Sequence, residues 1–208
     1  MPLTEYRKKR RFEVTPEPPG ELLPARKETQ TLRYLVQKHR ASHLHYDFRL
    51  EWNGVLLSWA VPKGPSLDPL VKRLATQVED HPLEYEEFEG VVPAGEYGGG
   101  TVMVWDKGTW FPEIPDVDEA LNKGELKFTL NGAKLKGSWV LVRTRGFGRR
   151  ERPAWLLIKH RDLFAAEYDI TLEAPRSALS GRTLAEIARD GGGDIARAAT
   201  GDPPDIQN

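Results

Sequence analysis

Cysteine is absent from the 208-residue chain, so no disulfide framework, thiolate nucleophile or thiolate metal ligand is available. That fits a reducing compartment. Long apolar runs are also absent. Nothing approaches the ~18 consecutive apolar residues of a membrane-spanning helix, and the charged start MPLTEYRKKRRFEV has no signal-type apolar stretch. The expectation is a soluble, cytoplasmic protein. A large excess of one charge sign is missing as well. The formal net charge is −1, which excludes coating of nucleic acid by bulk charge. It leaves room for a grip on a strand end by a few local cations, which cluster in RKKRR at 7–11 and RTRGFGRRER at 143–152. Internal repeats are lacking. The glycine-rich VVPAGEYGGGT at 91–101 is followed by no Gly-Lys-Ser/Thr and no helix start, so it reads as a turn-forming loop rather than a phosphate-cradling one.

What is present is mainly β. Residues 1–30 are charged and broken by TPEPPGE at 15–21, which predicts an extended arm ordered only by docking. Residues 31–190 read as one domain. TLRYLVQ, LHYDFRLEW, VLLSWAV, GTVMVWD, ELKFTL, KGSWVLVRT and AWLLIKH are short, rich in β-branched and aromatic residues, and punctuated by Gly, Asn and Asp. Short helices are expected at 116–122, where Asp116 can cap with Glu119 three residues on, and at 182–190. Residues 191–208, GGGDIARAATGDPPDIQN, read as a flexible tail or linker. The total predicts an antiparallel β-barrel with a few flanking helices.

The most informative stretch is HLHYDFRL at 43–50. Asn53-Gly54 is a strong two-residue hairpin turn, and it fixes the register of the strands it joins. Trp52 then faces Val55, Leu50 faces Leu57, Phe48 faces Trp59 and Tyr46 faces Val61 on one apolar face. On the other, Arg49 faces Ser58, Asp47 faces Ala60 and His45 faces Pro62. Alternation puts His45, Asp47 and Arg49 in a row with small cross-strand neighbours, so that face has room above it for a site. His45 and Asp47, about 7 Å apart at Cα, form a metal pair. His39, across RASH, can return as a third ligand. Two imidazoles and a carboxylate suit Mn²⁺, Zn²⁺ or Fe²⁺. By parity His43 points to the core, and His160 reads as a surface residue. Arg49, Lys63 and Arg73 could form an anion clamp, with His81 and Tyr85 nearby in EDHPLEY.

At this point QKHRASHLHYDFRLEWNGVLLSWAVPKGPS and EDHPLEYEEFEGVVPAGEYGGGTVMVWDKGTW closely resemble the 3′-phosphoesterase domain of bacterial DNA ligase D and its free-standing relatives. The similarity extends over about residues 4–190, including YRKKRRF, TPEP and SGRTLAEIA. The resemblance implies a β-barrel with a crescent-shaped active-site surface. It implies a Mn²⁺-dependent enzyme (Co²⁺ or Zn²⁺ as substitutes) acting on primer–template 3′ ends. Such an enzyme trims a terminal ribonucleotide to a 3′-phosphate, then removes that phosphate, in company with ligase, polymerase and Ku. It puts the metal ligands on His39, His45 and Asp47, and phosphate contacts on Arg49, His81 and Tyr85. Lys63 and Arg73 fall on activity-supporting positions, and Arg10 and Glu17 on functional positions of the arm. Two departures stand out: Arg10-Arg11-Phe12 replaces the family's Arg-Asp-Phe, and His43 stands where arginine is frequent. The linker-like end is compatible with a free-standing enzyme or with one domain of a longer protein.

Two other classes fit parts of the pattern. A cupin-like Fe²⁺ oxygenase would use the His-x-Asp pair with His81 as a later ligand. A non-catalytic nucleic-acid-binding barrel would stack bases on Trp52, Trp105 or Trp110.

Overall fold

The structure, a computed structural model, describes residues 3–20, 31–149 and 152–206, without the side chains of 145–149 and 152. Part of the expected arm (1–2 and 21–30) and most of the basic run at 143–152 therefore lie outside the described residues or side chains. The nine strands are β1 (Leu32–Arg40), β2 (Leu44–Trp52), β3 (Val55–Val61), β4 (Arg73–Gln77), β5 (Gly90–Val92), β6 (Gly100–Pro112), β7 (Glu125–Gly132), β8 (Lys136–Arg149) and β9 (Arg152–Lys159). Their order is β1-β2-β3-β4-β9-β8-β7-β6-β5, and β1 also pairs with β6. Eight antiparallel strands thus close into a barrel, with β5 added outside on β6. Closure removes the free edges that an open sheet would expose.

The Asn53-Gly54 hairpin has the register expected from its turn, from Trp52↔Val55 to Tyr46↔Val61. Asn53 and Gly54 have φ of 49° and 80°, as a turn matched to strand twist requires. His45 and Pro62 lie beyond the last paired residues of this ladder. Tyr46, Phe48, Leu50 and Trp59 point into the barrel and join Trp105, Trp110, Trp139 and Trp155 in its core. Five of the six tryptophans are at most 1 % exposed, so large aromatic side chains fill the barrel interior. β4 is short and largely polar and β5 is only three residues long, so neither stands out in sequence; they are recruited by neighbours already in register.

The helices α2 (Val117–Lys123) and α4 (Leu184–Asp190) form where expected. Asp116 accepts from the Glu119 backbone N–H, and Thr183 and Glu186 make a capping box. Both ends of the chain differ from expectation. The arm contains a helix, α1 (Thr4–Lys8), and it docks. Leu3 and Tyr6 pack with Leu35, Leu56, Leu83 and Tyr85 in a second apolar cluster outside the barrel. The C-terminal segment also forms α5 (Ile195–Ala199) and packs back, with Ala198 in the main core. Asp202 explains this: its carboxylate accepts from the N–H groups of Leu184 and Ala185 at 3.0 and 2.9 Å, covering orphan donors at the start of α4. A composition rich in Gly, Asp and Pro reads as linker until such a partner is known. α3 (Ile170–Glu173) completes the set of α-helices among the described residues, and none of them is long and apolar enough to cross a membrane.

Asp202→Ala strands those two N–H groups beneath a buried segment. We expect urea denaturation to read a loss of about 1–3 kcal/mol, with little change on Asp205→Ala at an exposed position.

Candidate metal and anion centre

The site stands on the outer face of the barrel wall. β1 and β2 are joined through residues 41–43 and pair antiparallel, with His39 opposite His45 and Gln37 opposite Asp47. The third imidazole-or-carboxylate donor is therefore a direct cross-strand neighbour and needs no swing across a loop. The two histidine rings lie 4.8 Å apart. His39 Nε2 faces the Gly98 carbonyl at 2.8 Å, and His45 Nδ1 faces the His43 carbonyl at 3.1 Å. A carbonyl can only accept, so those two nitrogens carry the protons. The lone pairs of His39 Nδ1 and His45 Nε2 are left facing Asp47 Oδ2, each at 3.6 Å. All three donor atoms lie within 4.8 Å of one another. These spacings are long for hydrogen bonds. They are roughly the donor–donor separations around an ion held at ~2.1 Å, with the outer carbonyls fixing both tautomers. The donor set thus fits a divalent transition ion.

Asp47 is the electrostatic centre. Burial alone would raise its pKa, but Arg49, His39 and His45 outweigh burial and hold the carboxyl well below the usual carboxylate range. Arg49 is held in turn: Nε donates to Gln37 Oε1 at 2.9 Å, Nη1 to Ser58 Oγ at 2.7 Å, and Nη2 sits 3.4 Å from Asp47. Its guanidinium also lies over the Tyr85 ring, 5.1 Å from the centroid. The small residues opposite Arg49 and Asp47 leave space, and a cavity of about 350 Å³ opens above the row. His39, His45, Asp47, Arg49, His81, Tyr85, Arg10 and Glu17 all line it.

His81 enters from beyond β4. Its backbone exchanges two hydrogen bonds with Leu56 of β3, and Nδ1 faces the Glu79 carbonyl at 2.9 Å. Nε2 then faces Arg10 Nη2 at 3.2 Å as an acceptor. Burial, then Arg49 and Arg10, pushes this imidazole well below its ordinary pKa, so it is neutral near pH 7. Arg10 comes from the arm: Nε bonds Glu17 Oε1 at 2.8 Å, and the guanidinium covers the Tyr6 ring at 3.9 Å. Glu17 also accepts from Tyr85 Oη at 2.7 Å and Thr15 Oγ1 at 2.9 Å. It fixes the cation and the phenol, and its carboxylate is already occupied by them.

Other expectations are corrected here. Arg49, Lys63 and Arg73 do not converge. Lys63 is exposed on the turn after β3 and lines no part of the cavity. Arg73 pairs with Leu157 on the face that Ala75 shares with Trp155, which is the core face, so alternation turns it from the site. Arg10 takes the place beside Arg49 that the clamp assigned to them. His43 is exposed and not turned to the core: it precedes β2, and alternation counted back from His45 would give it the site face, not the core face. His160 is half-buried against Ser138 Oγ at 2.7 Å, and away from the site. Sequence reading missed Gln37, Ser58, Glu79 and Tyr97. Gln37 had a findable signal: it sits two residues before His39 in β1 and so shares its face. Glu79 and Tyr97 sit on loops with no periodicity to read.

A closed antiparallel barrel with a metal-ready His-His-Asp group and Arg49 on its outer wall, joined by Arg10 from the arm, makes a candidate metal- and anion-binding centre. The chain belongs to the DNA ligase D 3′-phosphoesterase domain family, whose sequence model matches residues 37–143. It is 55 % identical over 186 residues to the multifunctional non-homologous end joining protein LigD of Pseudomonas aeruginosa, covering 88 % of this chain and 22 % of that protein. With the LigD of Mycobacterium tuberculosis it shares 45 % identity over 144 residues, 69 % of this chain and 18 % of the relative. The LigD of Mycolicibacterium smegmatis is 42 % identical over 149 residues, 69 % of this chain and 19 % of that protein. The chain spans about a fifth of the length of these curated relatives.

Because His81 is held neutral when folded and is free to protonate when unfolded, the unfolded state binds the extra proton below pH 6.5. Stability from this group is complete above that pH and falls as pH drops, by up to about 1.4 kcal/mol per unit. Denaturation between pH 5 and 7 should show this slope reduced in His81→Asn. An imidazole titrating near 6.5 by NMR would contradict the assignment.

Proposed function

We propose that this domain is a metal-dependent DNA 3′-end-healing phosphoesterase. It removes a 3′-terminal ribonucleotide to leave a 3′-phosphate, and then removes that phosphate to leave a 3′-OH. The observation that carries the proposal is the meeting, in one cavity, of His39, His45 and Asp47 with Arg49, Arg10 and neutral His81. The membership in the ligase D family and the relatives' printed role in non-homologous end joining support DNA ends as the substrate. We assign Mn²⁺ as the working metal, with Co²⁺ or Zn²⁺ as substitutes, and a cytoplasmic setting beside ligase, polymerase and Ku.

His39 Nδ1, His45 Nε2 and one oxygen of Asp47 would hold the metal, which supplies Lewis-acid polarisation of a phosphate oxygen. The chain's own groups do the rest. Arg49 is desolvated and fixed by Gln37 and Ser58, so it meets the phosphate preorganised and stabilises charge as it grows. Arg10 supplies a second cation from the arm. In monoester hydrolysis a water oxygen bonds to phosphorus, the P–O3′ bond breaks, and the departing oxygen takes a proton. His81 Nε2 is the nitrogen placed for that transfer. The charge of the entering phosphate raises its proton affinity, so Nε2 takes up a proton on substrate binding and gives it to O3′. One proton of the attacking water then returns to the medium and the other stays on the released phosphate, while Nδ1 remains on the Glu79 carbonyl. Tyr85 and Glu17 orient the two arginines. Lys63 and Arg73 remain assigned only as indirect contributors.

The oxygenase reading is weaker because the barrel interior is filled and the donor group opens toward arginines. The binding-module reading loses Trp105 and Trp110 as platforms, since both are fully buried, and Trp52 is tied to Asp118 Oδ1 at 2.9 Å.

The test is a gel assay on a 5′-labelled primer–template ending in one ribonucleotide, with Mn²⁺ or EDTA. The wild type should give Mn²⁺-dependent bands, first the 3′-phosphate and then the 3′-OH. His45→Ala should lose activity by about 10²-fold or more. Arg49→Lys should lose about 10²-fold, because lysine lacks the paired geometry. Full Mn²⁺-dependent activity in His45→Ala would overturn the metal site. No turnover by the wild type with Mn²⁺ bound would overturn the phosphoesterase reading.

A further inference from the structure

Residues 93–99 border the cavity where the arm meets it. They touch the arm: Arg11 pairs with Glu96, and the Lys9 ammonium lies over the Tyr97 ring at 4.9 Å from the centroid. Arg10 lies over the same ring at 5.6 Å. The next residue, Gly98, has φ +78° and turns its carbonyl onto the candidate ligand His39. Tyr97 is therefore next in sequence to the residue whose carbonyl orients His39, and it lines the same cavity. Yet it differs from Tyr85, the other tyrosine of the lining, and from Tyr6 behind it. Tyr6 and Tyr85 are buried, whereas Tyr97 is 42 % exposed. The mechanism described above makes no use of it.

A ring left open beside two cations at the mouth of a phosphate-handling cavity has a physical use. A nucleotide carries a π-face attached to its phosphate. Stacking on an aromatic side chain is tolerant of base identity, and nearby cations attract the backbone. We infer that Tyr97 is the stacking platform for the base of the strand's 3′-terminal nucleotide, with Lys9 and Arg10 holding the ring and the arm–loop contact Arg11–Glu96 setting its position. The Arg11–Glu96 pair fastens this loop to the arm. The inference rests on the phosphoesterase reading for its substrate class. Tyr97 is on this account a positioning and specificity residue: it selects a nucleotide ester over an ester without a base.

The test separates the two ideas. An oligonucleotide duplex ending in a 3′-phosphate, with 2-aminopurine as its last base, is titrated with protein in EDTA. Stacking predicts quenching of 2-aminopurine fluorescence on binding of the wild type. Tyr97→Ala should bind about 5- to 100-fold more weakly and quench less, and Tyr97→Phe should restore both. A duplex with 2-aminopurine six positions inward should show no Tyr97-dependent quenching. With Mn²⁺, the preference in kcat/KM for the nucleotide 3′-phosphate over glycerol 2-phosphate should fall about 10-fold or more in Tyr97→Ala. A purely structural role through Gly98 and His39 would lower both substrates together and leave that ratio unchanged. Equal quenching and equal affinity in Tyr97→Ala, or an unchanged ratio, overturns the inference. Tyr97-dependent quenching without any turnover would sink the phosphoesterase reading and leave the stacking platform standing.

Discussion

Everything around the site depends on keeping the charge of Asp47 in a buried place. A carboxylate removed from water is strongly disfavoured unless cations and donors surround it. Here Arg49 is the first compensating group, and a cation held between Asp47 and the two imidazole lone pairs that face it would be the next. Arg49 is itself buried, so Gln37 and Ser58 must accept its protons. His81 is forced neutral by burial and by the same arginine, and Arg10 by Glu17 into place beside it. Removing Asp47's compensation anywhere in this chain would leave an unpaired buried charge. That explains why so many polar groups converge on one face of so short a hairpin.

The barrel makes such a face possible by dividing labour between the two sides of its wall. Inward residues of β2 and β3 join the aromatic core, which closes the interior to ligands. Outward residues are then free to build a site, and the small side chains of Ser58 and Ala60 keep it open. The cavity still needs walls. The arm provides one through the outer cluster around Tyr6 and Tyr85, and residues 93–99 provide another. The C-terminal segment supports the turn between the two metal-ligand strands, for Arg197 Nε donates to the Ala41 carbonyl at 3.1 Å and Thr200 Oγ1 accepts from Arg40 Nε at 2.7 Å. Segments distant in sequence thus stiffen the hairpin that carries the donors.

Belonging to the ligase D 3′-phosphoesterase family gives this geometry a chemical setting. A metal-ready group beside two arginines and a neutral imidazole is suited to stabilising charge on a phosphoryl group, a task that depends on positioning and electrostatics. Glu17 has its oxygens engaged by Arg10, Tyr85 and Thr15. A carboxylate near a phosphate would repel it unless so neutralised. Arg11 has a local consequence too: it reaches Glu96 and ties the arm to the loop beside the cavity.

Much of the hairpin was legible from sequence alone. Asn53-Gly54 sets its turn, the turn sets the register, and period-two alternation then separates Phe48 and Trp59 from Asp47 and Arg49 without reference to any other segment. The caps of α2 and α4 were readable for the same reason, because capping acts within one turn of helix. What only the tertiary structure decided were the long-range partners. The closure of β1 on β6 brought no local signal. Neither did the arrival of Arg10 in the place assigned to Lys63 and Arg73, the turning of Arg73 to the core, or the packing of residues 191–206 against α4. Each depends on which distant surface offers a donor, an acceptor or an apolar face, and a linear sequence records only the residues that could answer.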